Sequence, residues 1–65
     1  MNKKAYIDWL NGMIDKLQNE IEWYKSIIGR DYLSMPIIGT PEQNIAEREI
    51  QIHTYRICLN HIKGR

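Results

Sequence analysis

The sequence predicts an all-α protein, an antiparallel hairpin of two long helices, and three observations support this fold class. Between residues 7 and 28, apolar side chains recur at alternating steps of three and four, the spacing that keeps them on one side of a helix. Residues 41–63 carry a second helical pattern with capping signals at its start. The connection between them, residues 29–39, begins and ends with glycine. With 65 residues in total, we expect one domain over residues 1–65.

The first helix is expected over residues 2–28. Asn2 belongs to the residue types that cap helix N-termini, and Gly29 can adopt the left-handed conformation that commonly ends a helix. The expected line of contact with the second helix consists of Ile7, Leu10, Ile14, Leu17, Ile21, Tyr24 and Ile28. Five more apolar residues widen this face on one side: Tyr6, Trp9, Met13, Trp23 and Ile27. A face this broad is more than one neighbouring helix covers.

The connection over residues 29–39 is longer than a minimal helix–helix loop and is unusually apolar. Its large apolar residues are Tyr32, Leu33, Met35, Ile37 and Ile38. Because such side chains are costly to leave in water, one interpretation is that they cover the open end of the hairpin. The other interpretation is that they form a loop that contacts a partner protein.

The second helix is expected over residues 41–63, and its start is the best-defined boundary in the sequence. Thr40 is a favoured N-cap residue, Pro41 suits the first helical position, and Gln43 completes a capping box with Thr40. Gly64 marks the end of the helix.

The second helix is apolar on two sides. One side carries Ile45, Ile52, Tyr55, Leu59 and Ile62, and the other carries Ala46, Ile50 and Ile57. Since a single hairpin gives each helix only one neighbour, we expect a homodimer in which two hairpins form a four-helix bundle with coiled-coil packing. The sequence leaves open whether the two hairpins run parallel or antiparallel. The residues expected at the dimer or partner interface are Trp9, Met13, Trp23, Ile27, Ala46, Ile50 and Ile57.

Composition and charge exclude several classes of protein. The formal net charge of +1 excludes a strongly basic nucleic-acid binder and an acidic tail protein. The single cysteine, Cys58, excludes a disulfide within the chain and is typical of a reducing compartment. No apolar run approaches the ~20 residues of a membrane-spanning helix, so we expect a cytoplasmic protein without membrane contact.

The sequence carries no pattern typical of catalysis or metal binding. Its glycines are too scattered for a phosphate-binding loop. Asp8, Asp15 and Glu22 follow one another ~10.5 Å apart along the first helix, too far to share a metal ion or to act as an acid/base pair. Cys58 and His61 are spaced to share a metal ion, but the pattern supplies no third ligand. We therefore expect a non-enzyme that uses no metal ion or cofactor.

Two functions are compatible with these observations. The first is a protein–protein interaction module, since small chains without catalytic residues are typical of regulators and inhibitors that occupy a partner protein's surface, including those encoded by phages and mobile elements. The second is a small dimeric RNA- or DNA-binding regulator. An antiparallel hairpin places both termini at one end, which gathers four basic side chains for contact with phosphates: Lys3, Lys4, Lys63 and Arg65. A steep loss of affinity with salt would distinguish the second function from the first.

Overall fold

The computed structural model describes residues 2–30 and 34–64 and contains two α-helices, α1 over Lys3–Ile27 and α2 over Pro41–Lys63. Side chains early in α1 contact side chains late in α2, so the helices run antiparallel. Together they form a hairpin 47 Å long and 16 Å across in both other directions. The predicted all-α helical hairpin is confirmed.

Local backbone chemistry sets both ends of α1. The side-chain oxygen of Asn2 accepts a hydrogen bond from the backbone N–H of Ala5 at 2.7 Å, which makes Asn2 the N-cap. At the other end, Ile28 has an extended backbone (φ −62°, ψ 130°) and Gly29 has a φ of +87°. α1 is therefore one residue shorter at each end than the predicted helix over residues 2–28.

The capping box at the start of α2 is formed as predicted. Thr40 Oγ1 accepts from the N–H of Gln43, and Gln43 Oε1 accepts from the N–H of Thr40, both at 3.1 Å. Gly39 precedes the cap with a φ of +78°, and a Cβ atom there would lie 2.6 Å from Gln43 Oε1. The positive φ favours glycine at position 39, and a Cβ atom there would displace the Gln43 side chain from the cap.

The core lies along the line of contact between the two helices. Its buried residues are Leu10, Ile14, Leu17, Ile21, Ile52 and Leu59. Partly buried side chains pack against it: Tyr6, Ile7, Ile45, Tyr55 and Cys58. Burial of one such aliphatic side chain stabilises the fold by about 1.5–3 kcal/mol. The predicted contact line of α1 is confirmed over residues 7–21.

The predicted contact line is wrong at its C-terminal end. Ile28 was expected on this line, but it is 47% exposed. Ile27 was expected to contact a partner, yet it is 3% exposed within the single chain. α1 ends at Ile27, and the extended ψ of Ile28 (130°) turns the connection that follows away from the helical path. Ile27 therefore belongs to the interior of the hairpin and offers almost no surface to a partner.

The apolar connection is only partly removed from water. Two of its five apolar residues lie outside the described part of the chain: Tyr32 and Leu33. Met35 and Ile37 are half-buried, whereas Ile38 is 93% exposed, so the expectation that these side chains leave water is wrong for Ile38. The carbonyl of Ile38 accepts a hydrogen bond from Asn44 Nδ2 at 2.8 Å. This contact fixes the backbone at Ile38 while its side chain stays in solvent.

Candidate interaction surfaces

One side of the hairpin presents five aromatic rings and is termed the aromatic side: Tyr6, Trp9, Trp23, Tyr24 and Tyr55. Near the start of α1, the ring of Trp9 stacks on that of Tyr6, with centroids 6.1 Å apart and planes at 11°. The same ring meets Tyr55 of α2 edge-on at 5.8 Å and 86°. Trp9 is nevertheless 46% exposed. Its two neighbours fix its orientation and leave nearly half of its surface in water.

Trp23 is also held by a neighbouring ring and nearly half exposed. It lies about 21 Å from Trp9 along α1, because fourteen residues separate them at ~1.5 Å each. Its ring meets that of Tyr24 at 5.0 Å and 75°, and it is 47% exposed. Met13 lies between the two tryptophans in the sequence and is half-buried. A shallow, open groove beside Trp23 is lined by residues of both helices, among them Gly12, Asp15, Lys16, Asn19 and Arg48. The aromatic side therefore combines two half-exposed tryptophans with a depression next to one of them.

Arg48 of α2 joins the two helices at this groove. Its Nε donates to Glu20 Oε1 at 2.8 Å, and its guanidinium carbon lies 4.7 Å from the centroid of the Tyr24 ring. Its Nη1 also donates to the backbone carbonyl and to the side-chain oxygen of Asn44, both at 3.2 Å. The two charged side chains are 22% and 34% exposed, so solvent only partly screens them. Arg48 therefore packs on the ring of Tyr24, and Tyr24 in turn contacts Trp23.

Sequence reasoning did not single out this polar cluster. Asn44 and Arg48 precede the core residue Ile52 at steps of four, on the side of α2 that faces α1. Polar residues on an otherwise apolar line were the signal that could have revealed them. Asn44 is 9% exposed and also donates from Nδ2 to the carbonyl of Thr40 at 2.9 Å. Across residues 2–30 and 34–64, every buried side-chain nitrogen or oxygen has a hydrogen-bond partner.

A second apolar surface lies on α2 and is termed the outer stripe: Ala46, Ile50 and Ile57. Ile50 is 67% exposed, Ile57 is 55% exposed, and Ala46 is also exposed. At ~100° per residue, Ile50 lies about 160° around the helix from the buried Ile52. The outer stripe therefore faces away from α1, and none of the residues that the structure describes covers it.

The side of the hairpin opposite the aromatic rings is polar. An open groove there is lined by the core residues Ile21 and Ile52 and by polar side chains of both helices, among them Gln18, Glu22, Lys25, Glu49, His53 and Arg56. Lys25 Nζ and Glu22 Oε1 lie 3.8 Å apart in an exposed ion pair, a type that contributes ~0–1 kcal/mol. The groove carries charges of both signs and offers no concentrated field to a charged ligand.

The basic residues near the chain termini gather at one end of the hairpin. Lys3 and Lys4 lie at the start of α1 and Lys63 at the end of α2, and all three are exposed. Arg65 lies outside the described residues. Contact of this basic end with nucleic acid stays a prediction.

Metal-binding clusters and membrane-spanning helices are both absent from the described part of the chain. It holds no group of three or more His, Cys, Asp or Glu side chains placed to bind a metal ion. Cys58 is half-buried, with a free thiol, and packs against the core. Neither α1 nor α2 combines the length and the apolar character that crossing a bilayer requires.

No family model, no curated protein and no solved structure matches this chain. Its function is therefore argued from its exposed apolar surfaces and from the charges beside them.

Proposed function

We propose that this chain is a small non-enzymatic interaction module that regulates or inhibits another protein by binding it. The aromatic side binds the partner protein, and the outer stripe binds a second copy of the chain, which gives an assembly of four helices. The observation that carries the proposal is the exposure of Trp9 and Trp23, at 46% and 47%, in a hairpin whose own core is already closed.

The energetics of protein interfaces support the aromatic side as the binding surface. Tryptophan is among the residues most enriched at the sites that dominate binding energy. Covering the remaining exposed half of each ring contributes about 25 cal/mol per Å² of apolar surface. The neighbouring rings of Tyr6 and Tyr55 already orient Trp9, so binding loses little side-chain entropy there. Trp23 is oriented in the same way by Tyr24.

The spacing of the tryptophans limits the kind of partner that fits. A partner must offer apolar depressions about 21 Å apart, the distance that separates Trp9 from Trp23 along α1. Asp15, Lys16 and Glu20 lie between them in the sequence and supply polar contacts at the rim, as in typical interfaces. The partner surface is therefore an extended apolar groove with polar edges, and a deep pocket for one side chain does not match it.

The test compares two alanine variants on opposite sides of the hairpin. The wild-type chain is used to recover a binding protein from a lysate of cells that produce it, and the affinity for that protein is then measured with each variant. Trp23→Ala removes a half-exposed ring and leaves the core intact, so we expect binding to weaken at least about tenfold. Gln18→Ala lies on the polar side and serves as the matched control with unchanged affinity. Equal affinities for wild type and Trp23→Ala would place the binding surface elsewhere.

Nucleic-acid binding is the second candidate, favoured by the exposed Lys3, Lys4 and Lys63 at one end of the hairpin. It is tested with labelled RNA and duplex DNA at ~50 and ~200 mM salt, because release of counterions makes such binding fall steeply over this range. Replacing the three lysines by alanine should then abolish binding, while Trp23→Ala should not change it. That pattern would replace protein binding as the proposed function.

A further inference from the structure

The charged residues beside the outer stripe follow a regular order. Glu42, Glu49, Arg56 and Lys63 are spaced seven residues apart, so they lie close to one line along α2. All four are exposed. The first two are acidic and the last two are basic, so the line changes sign at its middle, between Glu49 and Arg56. A helix pairing through the outer stripe would bring this line to the edge of the contact.

The order of these charges distinguishes between the two ways in which α2 can pair with a second α2. In a parallel pair, each residue at this edge lies beside the residue of the second copy whose number is about five higher. Glu42 then lies beside Glu47 of the second copy, and Arg56 lies beside His61 of the second copy. The parallel pair therefore gains no ion pair from this line. In an antiparallel pair, this line of charged residues lies beside the same line of the second copy, and the two lines run in opposite chain directions. Acidic residues then lie beside basic ones along the whole line.

We propose that α2 pairs antiparallel with α2 of a second copy, a proposal that rests on the self-association included in the proposed function. The two-fold axis lies level with residues 52–53, on the side of the exposed His53 and away from the buried Ile52. Ala46, Ile50 and Ile57 form the apolar seam on both sides of this axis. Glu49 then lies beside Arg56 of the second copy, and Glu42 beside Lys63 of the second copy. Each ion pair occurs twice, as the two-fold symmetry of such an interface requires.

This pairing determines the shape of the assembly. Because the outer stripe lies nearly opposite the side of α2 that contacts α1, the four helices form a row with the two α2 helices at its centre. A square bundle would need the two contact sides of α2 to lie roughly at right angles. The two-fold axis is perpendicular to the plane of the four helices, so the aromatic sides of both copies face the same direction. The assembly therefore presents two identical binding surfaces, carrying Trp9 and Trp23, to a partner.

Charge-reversal variants test the antiparallel register. Glu49→Arg places two basic side chains beside each other at each contact, and Arg56→Glu places two acidic ones there. Each single variant should therefore raise the dimer dissociation constant about tenfold, because two pairs per dimer are reversed. An equimolar mixture of the two single variants should form heterodimers with near wild-type affinity, because every contact is again between opposite charges. Sedimentation gives the affinities, and native mass spectrometry identifies the heterodimer.

Asp8→Arg is the matched control for Glu49→Arg, since it makes the same charge change at an exposed position of α1 that lines neither groove, and it should leave the dissociation constant unchanged. If the chain is a dimer but both single variants dimerise as tightly as wild type, or their mixture forms no heterodimer, the antiparallel α2 pairing is wrong. The proposed function stands in that case. If wild type is monomeric at every concentration, self-association itself is wrong, and the pairing with it.

Discussion

At the scale of single residues, the end of α1 shows that burial can differ sharply between two adjacent side chains of the same type. Ile27 and Ile28 are chemically identical neighbours, yet one is 3% exposed and the other 47%. We expect Ile27→Ala to lower the free energy of unfolding by about 2–5 kcal/mol, because it leaves a cavity. Ile28→Ala should cost less than about 1 kcal/mol.

Urea denaturation followed by circular dichroism measures both effects. If Ile27→Ala does not fold, Ile27→Val and Ile28→Val give a milder form of the same comparison, with the first expected to cost about 0.5–1.5 kcal/mol. Equal effects at the two positions would contradict the difference in burial between Ile27 and Ile28.

Arg48 shows a second effect at the residue scale, the dependence of a contact on side-chain shape. Its guanidinium contacts Glu20, Asn44 and the face of Tyr24 at once. Arg48→Lys keeps the charge but loses the planar group that reaches all three, so the free energy of unfolding should fall by about 1–3 kcal/mol. Arg30→Lys, at an exposed position of the connection, should change the free energy of unfolding by less than about 0.5 kcal/mol. Equal values from thermal or urea unfolding would show that only the charge of Arg48 matters.

At the scale of the helices, two glycines play opposite roles. Gly12 lies in the middle of α1, and a Cβ atom there would meet nothing within 4 Å, so Gly12→Ala should raise the free energy of unfolding by about 0.5–1 kcal/mol. Gly39 has a φ of +78° and the side chain of Gln43 beside it. Gly39→Ala should therefore lower the free energy of unfolding by about 1 kcal/mol or more. Urea titrations of both variants test this, and a loss of stability on Gly12→Ala would indicate that another chain approaches α1 there.

The two helices also show which features a sequence can predict. The start of α2 depends on Thr40, Pro41 and Gln43, which interact with the backbone close to them in the sequence. The start of this helix can therefore be predicted from a few consecutive residues. The end of α1 depends on where the chain leaves the helix to enter the connection, and the apolar pattern continues one residue past that point. The contacts of Arg48 depend on the register between α1 and α2, which no local pattern fixes. Surfaces could be proposed from the pattern of apolar residues, but only the packed hairpin separates the buried Ile27 from the exposed Ile50.

At the scale of the whole molecule, a hairpin of two helices can close only one line of contact. Each helix has a single neighbour, so apolar residues elsewhere on its circumference stay in water. This explains why Trp9 and Trp23 are nearly half exposed, and Ile50 more than half, although the core is complete. A chain of this length buries only about 60% of the surface that its unfolded form exposes. Association is therefore the available route to further burial.

Self-association through the outer stripe depends on an uncharged, apolar seam. Ile50→Asp places a charge in the centre of the proposed seam, where pairing would remove it from water without a partner, so the dimer should dissociate. The monomer should keep its helical circular dichroism signal, because Ile50 is 67% exposed in the single chain and contributes little to the core. Ile38→Asp makes the same change at a connection residue that is 93% exposed and should leave the dimer intact. Analytical ultracentrifugation over a range of concentrations measures both variants. An Ile50→Asp protein that sediments as a dimer would move the association surface to the aromatic side of α1.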